Sequence, residues 1–299
     1  MIYLLYAIIF LFGLGIGSFL NVLICRHSPE GRFFNLNKLK GRSHCPYCGK
    51  TLSFWELIPV LSFVFQGGRC RSCRHFLSLQ YPFVEIISGL IFLGVPLYLS
   101  KFYGLSGSFF WGQAPVVCYI LAVLWIIVFL ILILMAAIDL RYFVIPNGLN
   151  VFLLVLGIIV TAVLILYGDV LPLFRDSFLR NYVLVFSPFE SILINHLIGA
   201  VLGTVFFGLL WFLSRGRAMG FGDVKLALGG GLLFGWPDIG LALLISFLLG
   251  GLWSFIRLIL GKSGMKDRIP FAPFLVLGMI LTFFLGSQII QGYFSLFPF

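Results

Sequence analysis

The sequence predicts an all-α polytopic membrane protein with about eight transmembrane helices. Of its 299 residues, 61% are hydrophobic and only 10% are charged, and the mean hydropathy is +1.12. Soluble globular domains do not carry this balance over their whole length. A helix needs about 20 apolar residues to cross a bilayer. Eight segments approach that length: 2–24, 83–100, 115–138, 144–167, 191–214, 223–236, 239–258 and 270–292.

Two of these segments differ from the rest. The first resembles a signal peptide, but it has no basic residue before its apolar run, and it continues into GSFLNVLICR without a small-residue cleavage pattern. We therefore expect residues 1–25 to form a retained first transmembrane helix. The segment 223–236 is short and rich in glycine, so it is the weakest of the eight helix predictions.

The basic residues predict the orientation. With the N-terminus outside and eight crossings, 17 of the 20 Lys and Arg fall inside: nine from Arg26 to Arg74, then Arg141, Arg215, Arg217, Lys225, Arg257, Lys262, Lys266 and Arg268. Only Lys101, Arg175 and Arg180 fall outside. This split follows the positive-inside rule, so the net charge of +10 is mainly a topology signal. It gives no support to a nucleic-acid partner.

The chain divides into a first helix, a polar and basic loop domain at 26–82 inside, and a transmembrane core at 83–299. The outside segment 168–190 mixes apolar residues with Arg175, Asp176 and Arg180, and it is expected to lie along the interface.

Four cysteines of the loop domain have the spacing of a metal site. HCPYCGK and GRCRSCRH supply Cys45, Cys48, Cys70 and Cys73 as two C-x2-C pairs separated by 21 residues. Four thiolates in this pattern form a closed tetrahedral zinc site, which is structural because no ligand position stays open. The alternative is two disulfides or free thiols, although disulfides rarely persist in the cytoplasm. His44 and His75 are expected to be solvated neighbours, and Cys25 and Cys118 buried apolar side chains.

Two aspartates adjoin apolar segments on the inside. Asp139 ends ILILMAAIDLRYFVIPN, and Asp223 opens DVKLALGGG, so both are predicted at one depth near the inner surface. Two carboxylates that meet there share a proton, and one can activate a water while the other acts as a general acid toward a scissile peptide bond. Glycines around Asp223 would let a substrate backbone pass close by. Taken singly, either aspartate could instead bind an ion, pair with Arg141 or Lys225, or reach the interface.

These motifs together resemble the bacterial type IV prepilin peptidases. The resemblance rests on GFGDVK at Gly220 to Lys225, on Asp139 with LRYFVIPN, on GSFLNVLICR and on the tetracysteine loop, and it covers essentially the whole chain. It implies a GxGD aspartic endopeptidase of the bacterial inner membrane. Such an enzyme removes the leader of type IV prepilins and pseudopilins on the cytoplasmic side and then N-methylates the new N-terminal residue with S-adenosylmethionine.

The resemblance also implies roles for individual residues. Asp139 and Asp223 would be the catalytic pair, Gly220, Gly222 and Lys225 would support substrate binding, and the region 26–85 with Glu85 would carry the methyltransferase. An equally good role for Glu85 is to pair with loop arginines. Two departures from the family pattern leave the aspartates untouched: RHSP follows the first helix, and Asn147 replaces an acidic residue.

Three other functions fit parts of this pattern. An ion-coupled transporter could use Asp139 and Asp223 as ion sites, and it would give ion-dependent flux without a cleavage product. A membrane scaffold could dock partners through its zinc ribbon, but its basic loop has few exposed aromatic residues to stack bases. A methyltransferase without peptidase activity would leave the leader in place.

Overall fold

A computed structural model describes residues 2–27, 41–105, 114–168, 176–186, 191–217, 219–261 and 269–296. These ranges contain no β-strand, and their ordered elements are helical. The α-helices are α1 (Ile2–Arg26), α2 (Leu61–Phe65), α3 (Gln80–Phe102), α4 (Val116–Tyr142), α5 (Asn147–Leu166), α6 (Val183–Phe186), α7 (Ile192–Leu213), α8 (Phe221–Phe234), α9 (Asp238–Ile259) and α10 (Ala272–Ser295). Phe54–Leu57 and Arg180–Tyr182 form short 3-10 helices.

Seven helices in the described ranges are long and apolar enough to cross a membrane: α1, α3, α4, α5, α7, α9 and α10. The protein is therefore a multi-pass membrane protein. The eighth predicted segment also forms a helix, α8, but this has only 14 residues. At 1.5 Å per residue it extends about 21 Å, which is less than the bilayer core of about 30 Å.

Helix α4 lies at the centre of the bundle. It is apolar around its whole circumference, which is typical of a buried helix, and Val128, Phe129, Leu132 and Met135 are completely buried. Helices α1, α3, α5 and α10 pack around it. The position of Asp139 in its last turn is therefore fixed by four neighbouring helices.

Helix α8 is enclosed by protein, chiefly by α5 and α7. Ten of its 14 residues are buried. It runs parallel to α5, because Leu153 of α5 packs against Gly229 and, further along both helices, Gly157 of α5 packs against Leu232. The first turns of α5 and α8 therefore lie at the same end of the bundle.

Helices α1 and α3 form a close pair that carries the loop domain between them. A Cβ at Gly17 would lie 2.6 Å from Cα of Glu85, so only glycine permits this approach. The described part of the loop, residues 41–79, thus joins two packed helices at one end of the bundle.

In the described part of the segment 168–190, residues 176–186, one stretch packs into the bundle while Arg180, Leu184 and Val185 stay exposed. Phe178 is buried among aromatic side chains, with ring centroids 5.2 Å from Trp125 and 4.5 Å from Phe283. Ser177 is buried as well. The segment is thus partly buried in the bundle, and its position along the interface stays a prediction. Residues 169–175 and 187–190 lie outside the described ranges.

Candidate active site

Asp139 lies where α4 ends. The helix stops at Phe143, which adopts a left-handed conformation (φ 56°) and donates its backbone N–H to the carbonyl of Asp139 at 2.9 Å. Helix α5 begins directly after Pro146, which has no N–H to lose at a helix start. The sequence YFVIPN is therefore a tight connection that holds Asp139 at the end of the bundle where α5 and α8 begin.

Asp223 lies in the first turn of α8, and the motif GFGD forms this helix start. Gly220 is the N-cap residue, and Asp223 follows three positions later. The Asp223 carboxylate accepts a hydrogen bond from the backbone N–H of Gly220. This is half of a capping box, in which an acidic side chain satisfies one of the free N–H groups at a helix N-terminus.

The two carboxylates lie close together, and we call this pair the dyad. Both side chains are buried, and Asp139 is near enough to Asp223 to repel it electrostatically. Asp139 accepts a hydrogen bond from the backbone N–H of Ala272, the first residue of α10. The N-termini of α8 and α10 thus both point toward the dyad, and their partial positive charge offsets the repulsion.

One oxygen of the dyad lacks a protein partner. Oδ1 of Asp223 is buried and accepts no hydrogen bond from any described residue. An unsatisfied buried acceptor is costly, so this oxygen is a site for a water or a substrate group.

Asn150, in the first turn of α5, is also buried with both amide atoms unpartnered in the described ranges. Sequence reasoning missed Asn150, although a polar residue among apolar ones is a visible signal.

The two glycines of GFGD have different surroundings. A Cβ at Gly222 would lie 3.1 Å from Cβ of Ile145, so Gly222 permits close packing of α8 on the connection between α4 and α5. A Cβ at Gly220 would have its nearest neighbour, Oδ2 of Asp223, at 3.8 Å. Gly220 therefore has open space beside the dyad.

The nearby cations make their described hydrogen bonds to other groups than the dyad. Lys225 Nζ donates to Oδ1 of Asn147 at 2.7 Å, and Arg141 Nη1 donates to Sγ of Cys25 at 3.4 Å. Lys225 thus ties α8 to the start of α5. The structure gives no hydrogen bond that supports pairing of Asp139 or Asp223 with these two cations in the described ranges.

Glu85 joins three parts of the chain. It is buried in the second turn of α3, where Oε2 accepts the backbone N–H of Val60 at 2.7 Å and the side chain also bonds Ser18 of α1. Val60 precedes α2 in the loop domain. The carboxylate of Glu85 therefore fastens the loop domain to the α1–α3 pair, and the hydrogen bonds described for it go to these groups rather than to loop arginines.

The four cysteines of the loop domain cluster as the spacing predicts. Their sulfur atoms all lie within 4.8 Å of one another, and those of Cys45 and Cys73 are 4.0 Å apart. Four sulfurs around one zinc at about 2.3 Å would be about 3.8 Å apart, so the cluster can hold a metal ion. All four cysteines are free thiols.

The two C-x2-C segments have the same local structure. Cys45 donates its backbone N–H to the carbonyl of Lys50 at 2.9 Å, and Cys70 donates its own to the carbonyl of His75 at 2.9 Å. An isolated antiparallel β-bridge flanks each segment, His44 with Thr51 and Arg69 with Phe76. Backbone N–H groups of Cys73 and Ser72 lower the pKa of the Cys70 thiol to about 7, which favours the thiolate that binds metal. His44 and His75 lie outside the cluster.

Sequence reasoning did not find the cavity between the loop domain and the bundle. It has a volume of about 240 Å³. Acidic and basic side chains and the C-terminal end of α1 form its polar wall, with Asn21, Cys25, Arg26, Glu56, Glu85 and Arg141 among the lining residues. Arg141 follows Asp139 by two residues in α4, so the cavity and the dyad lie at the same end of that helix. The signal was present in GSFLNVLICR, where polar residues recur along one helix.

Comparison with known proteins assigns the chain to a family. Residues 11–99 match the bacterial peptidase A24 N-terminal domain, and residues 126–255 match the type IV leader peptidase family. A prepilin leader peptidase/N-methyltransferase of Bacillus subtilis is 31% identical over 287 residues, which cover 96% of this chain and 97% of the relative. The chain belongs to the type IV leader peptidase family. Both residues of its dyad, Asp139 on α4 and Asp223 on α8, fall within the second matched region.

Further members of the family with the same name match over nearly their full length. The protein of Legionella pneumophila is 28% identical, covering 97% of this chain and 94% of its own. The protein of Aeromonas hydrophila is also 28% identical, and the match covers 99% of this chain and 96% of the relative. No solved structure matches the chain. These findings give no support to the ion-coupled transporter.

Proposed function

We propose that this protein is an aspartic endopeptidase that removes the leader of a type IV prepilin or pseudopilin, with Asp139 and Asp223 as its catalytic residues. The observation that carries the proposal is the dyad: two adjacent buried carboxylates, one with an unpartnered oxygen, in a member of the type IV leader peptidase family. The active site would face the cytoplasm in the bacterial inner membrane, since the basic residues favour that orientation.

The dyad can perform the cleavage without a cofactor. The ionised carboxylate takes a proton from water while the water oxygen attacks the scissile carbonyl carbon, and the other group, a protonated carboxylic acid, donates its proton to the carbonyl oxygen of the developing intermediate. Collapse of the intermediate breaks the C–N bond, and a carboxyl of the dyad returns a proton to the leaving amine. The unpartnered Oδ1 of Asp223 is available to hold the water. The Asn150 amide offers a donor and an acceptor for a peptide backbone at the same end of the bundle.

Incubation of the purified protein with a prepilin tests the dyad. Asp139→Asn and Asp223→Asn should each lower the rate of leader removal by at least about a hundredfold, because one carboxylate cannot both activate water and donate a proton. Intact-mass measurement of the substrate reads the outcome. Asp176→Asn is the matched control and should cleave normally. Asp176 belongs to the segment 176–186 and lies near Asp238, at the end of the bundle away from the dyad. Normal cleavage by either dyad variant would contradict the proposal.

We propose further that the cavity beneath the loop domain binds S-adenosylmethionine, the donor for N-methylation of the new N-terminus. When bound, this cofactor supplies an electrophilic methyl group. The residues fit its charges, since Arg26 and Arg141 can hold a carboxylate, and Glu56 and Glu85 can face its cationic groups. Because the cavity and the dyad lie at the same end of α4, an amine released at the dyad would be at the same level of the bundle as the cavity.

Binding of S-adenosylmethionine by calorimetry tests the location separately from cleavage. Glu85→Gln keeps an acceptor for Val60 but removes the charge, and it should raise the Kd about tenfold while leader removal continues. Ser100→Ala, remote from the cavity residues, should bind normally. Unchanged affinity in Glu85→Gln would contradict the location, and absence of binding in the unsubstituted protein would contradict the methyltransferase activity.

The third proposal is that Cys45, Cys48, Cys70 and Cys73 bind one structural zinc ion. The cluster size and the four thiol ligands support it. Metal analysis of protein purified without chelator should give about one zinc per chain. Cys48→Ser should lower both the zinc content and the thermal stability, because metal binding and folding are coupled in such loops. A chain without zinc would contradict this proposal.

A further inference from the structure

The loop domain exposes an apolar surface that the proposed activities do not use. Five side chains of one short segment are between 53% and 85% exposed, and we call them the 54–65 face: Phe54, Trp55, Leu61, Val64 and Phe65. Exposed apolar patches of this kind mark an interaction surface.

The segment is two-sided. Leu52, Ser62, Phe63 and Gln66 turn inward and line the cavity. The side chains of the 54–65 face are not among the cavity residues. The 3-10 helix at Phe54–Leu57 is held by Ser53, whose N–H and hydroxyl both donate to Oε2 of Glu56 at 2.8 Å. The exposed apolar side chains therefore project from an ordered scaffold.

The structure gives the depth of this surface. Val60, in the middle of the segment, bonds Glu85, which lies in the second turn of the membrane-spanning helix α3. The start of α2 is therefore level with the part of α3 where Phe83 and Ile86 are exposed on the outside of the bundle. A side chain exposed at this level of a membrane protein meets the interface of the bilayer rather than bulk water.

Charge complements this placement. Lys50 and Arg71 are close enough to Glu56 to attract its carboxylate electrostatically, and both basic side chains are exposed. Aromatic residues beside Lys and Arg are typical of segments that lie in the headgroup region of a membrane, with the rings below the basic side chains.

We propose that the 54–65 face is inserted into the lipid interface of the leaflet that surrounds the start of α3, and that it anchors the loop domain to the membrane. This surface then adds to the two covalent connections to α1 and α3 and to the hydrogen bond between Val60 and Glu85, which also hold the domain. Since the inward side of the same segment lines the cavity, the anchor holds that wall against α1 and α3.

Fluorescence quenching of Trp55 tests the insertion in the full-length protein. The emission difference between the unsubstituted chain and Trp55→Phe isolates this residue, and the conservative change keeps an aromatic ring. In nanodiscs of phosphatidylethanolamine and phosphatidylglycerol, brominated acyl chains should lower the Trp55 emission about twofold, and aqueous iodide should have little effect. No substrate is added in this measurement.

Two other tryptophans calibrate the result. Trp253 on α9 is 51% exposed within a membrane-spanning helix, so the Trp253→Phe difference should also show quenching by brominated lipid. Trp125 is 2% exposed and should be protected from both quenchers. Quenching of Trp55 by iodide and not by brominated lipid would overturn the proposal. Protection of Trp55 from iodide only after addition of prepilin would also overturn it and would assign the 54–65 face to the substrate.

Discussion

Gly220 and Gly222 flank Phe221 at the start of α8, yet they serve different purposes. Gly220 has φ −78° and ψ 153°, which any residue can adopt, and open space around it. Gly222 is in close contact with Ile145. The resemblance that singled out both glycines could not distinguish between them, because the difference arises from a neighbour 77 residues away.

This contrast gives a prediction about substitution. Gly222→Val should lower leader-peptidase activity at least about tenfold, because overpacking costs about 1–3 kcal/mol and displaces the first turn of α8 with Asp223. Gly220→Ala should keep activity within about twofold, since its Cβ meets only ordinary contacts. Cleavage rates on one prepilin and circular dichroism of both variants measure the effect. Equal loss in the two variants would mean that Gly220 has a direct role with substrate.

For single residues, the sequence identified side chains that the fold brings together, but it did not identify their surroundings. Asp139 and Asp223 could be paired because each adjoins an apolar segment on the same predicted side. The hydrogen bond from Ala272 to Asp139 was invisible, since it comes from a backbone N–H that every residue except proline possesses. Glu85 was singled out by resemblance, but its bond to Val60 depends on the fold of the loop.

Among the elements, α9 begins with a buried carboxylate at the end of the bundle away from the dyad. Asp238 is completely buried and accepts three hydrogen bonds from the segment 176–186: from the Ser177 hydroxyl at 3.0 Å and from the N–H groups of Phe178 and Leu179 at 3.1 and 3.2 Å. These bonds hold Phe178 in the aromatic core.

Asp238 is therefore expected to contribute to stability rather than to cleavage. Asp238→Ala leaves the N–H of Phe178 and the Ser177 hydroxyl without this acceptor, while the N–H of Leu179 keeps its bond to Ser177 Oγ. The change should destabilise the fold by about 2–5 kcal/mol. Asp238→Asn keeps an acceptor and should cost less. Thermal unfolding in detergent measures the change, while the cleavage rate per folded molecule should stay near that of the unsubstituted protein. A selective loss of cleavage in a stable Asp238→Ala variant would contradict this role.

The helix bounds show where hydropathy is informative. The apolar run predicted α4 to end at 138, but the helix continues to Tyr142. Its last turn contains Asp139 and Arg141, whose polarity is accommodated by Ala272 and Cys25. Likewise α3 begins at Gln80 rather than 83, in a polar turn that packs under the loop domain. Apolar counting locates the lipid-spanning part of a helix and misses polar turns at its ends.

For the whole molecule, the proposed orientation can be tested by labelling. Single cysteines at Lys101 and Arg215, in a chain whose native thiols are blocked or replaced, should react oppositely with a membrane-impermeant maleimide. Lys101→Cys should be labelled in intact cells, and Arg215→Cys only after permeabilisation. Labelling of position 215 from outside would place the dyad on the wrong face for a cytoplasmic leader. Arg175, predicted outside, and Lys262, predicted inside, lie outside the described residues.

The overall architecture was largely predictable, because a bilayer allows few alternatives to apolar helices. Eight helices form at the predicted places, and the four cysteines cluster as their spacing requires. The pairing of helices was not predictable, since lipid and protein interiors are equally apolar and small residues decide which helices approach. The glycines at 17 and 157 lie in such contacts, but the apolar pattern does not identify their partners.

The short length of α8 has a consequence for how the protein is made. A glycine-rich helix of 14 residues is a poor substrate for the machinery that releases segments sideways into lipid, and Asp223 makes it poorer. Helix α8 packs most extensively against α7, its predecessor in the chain. We therefore expect the two to enter the bilayer together as a hairpin, so that Asp223 reaches its depth only with the help of an earlier helix. Biogenesis, and not only catalysis, would then depend on the α7–α8 contact.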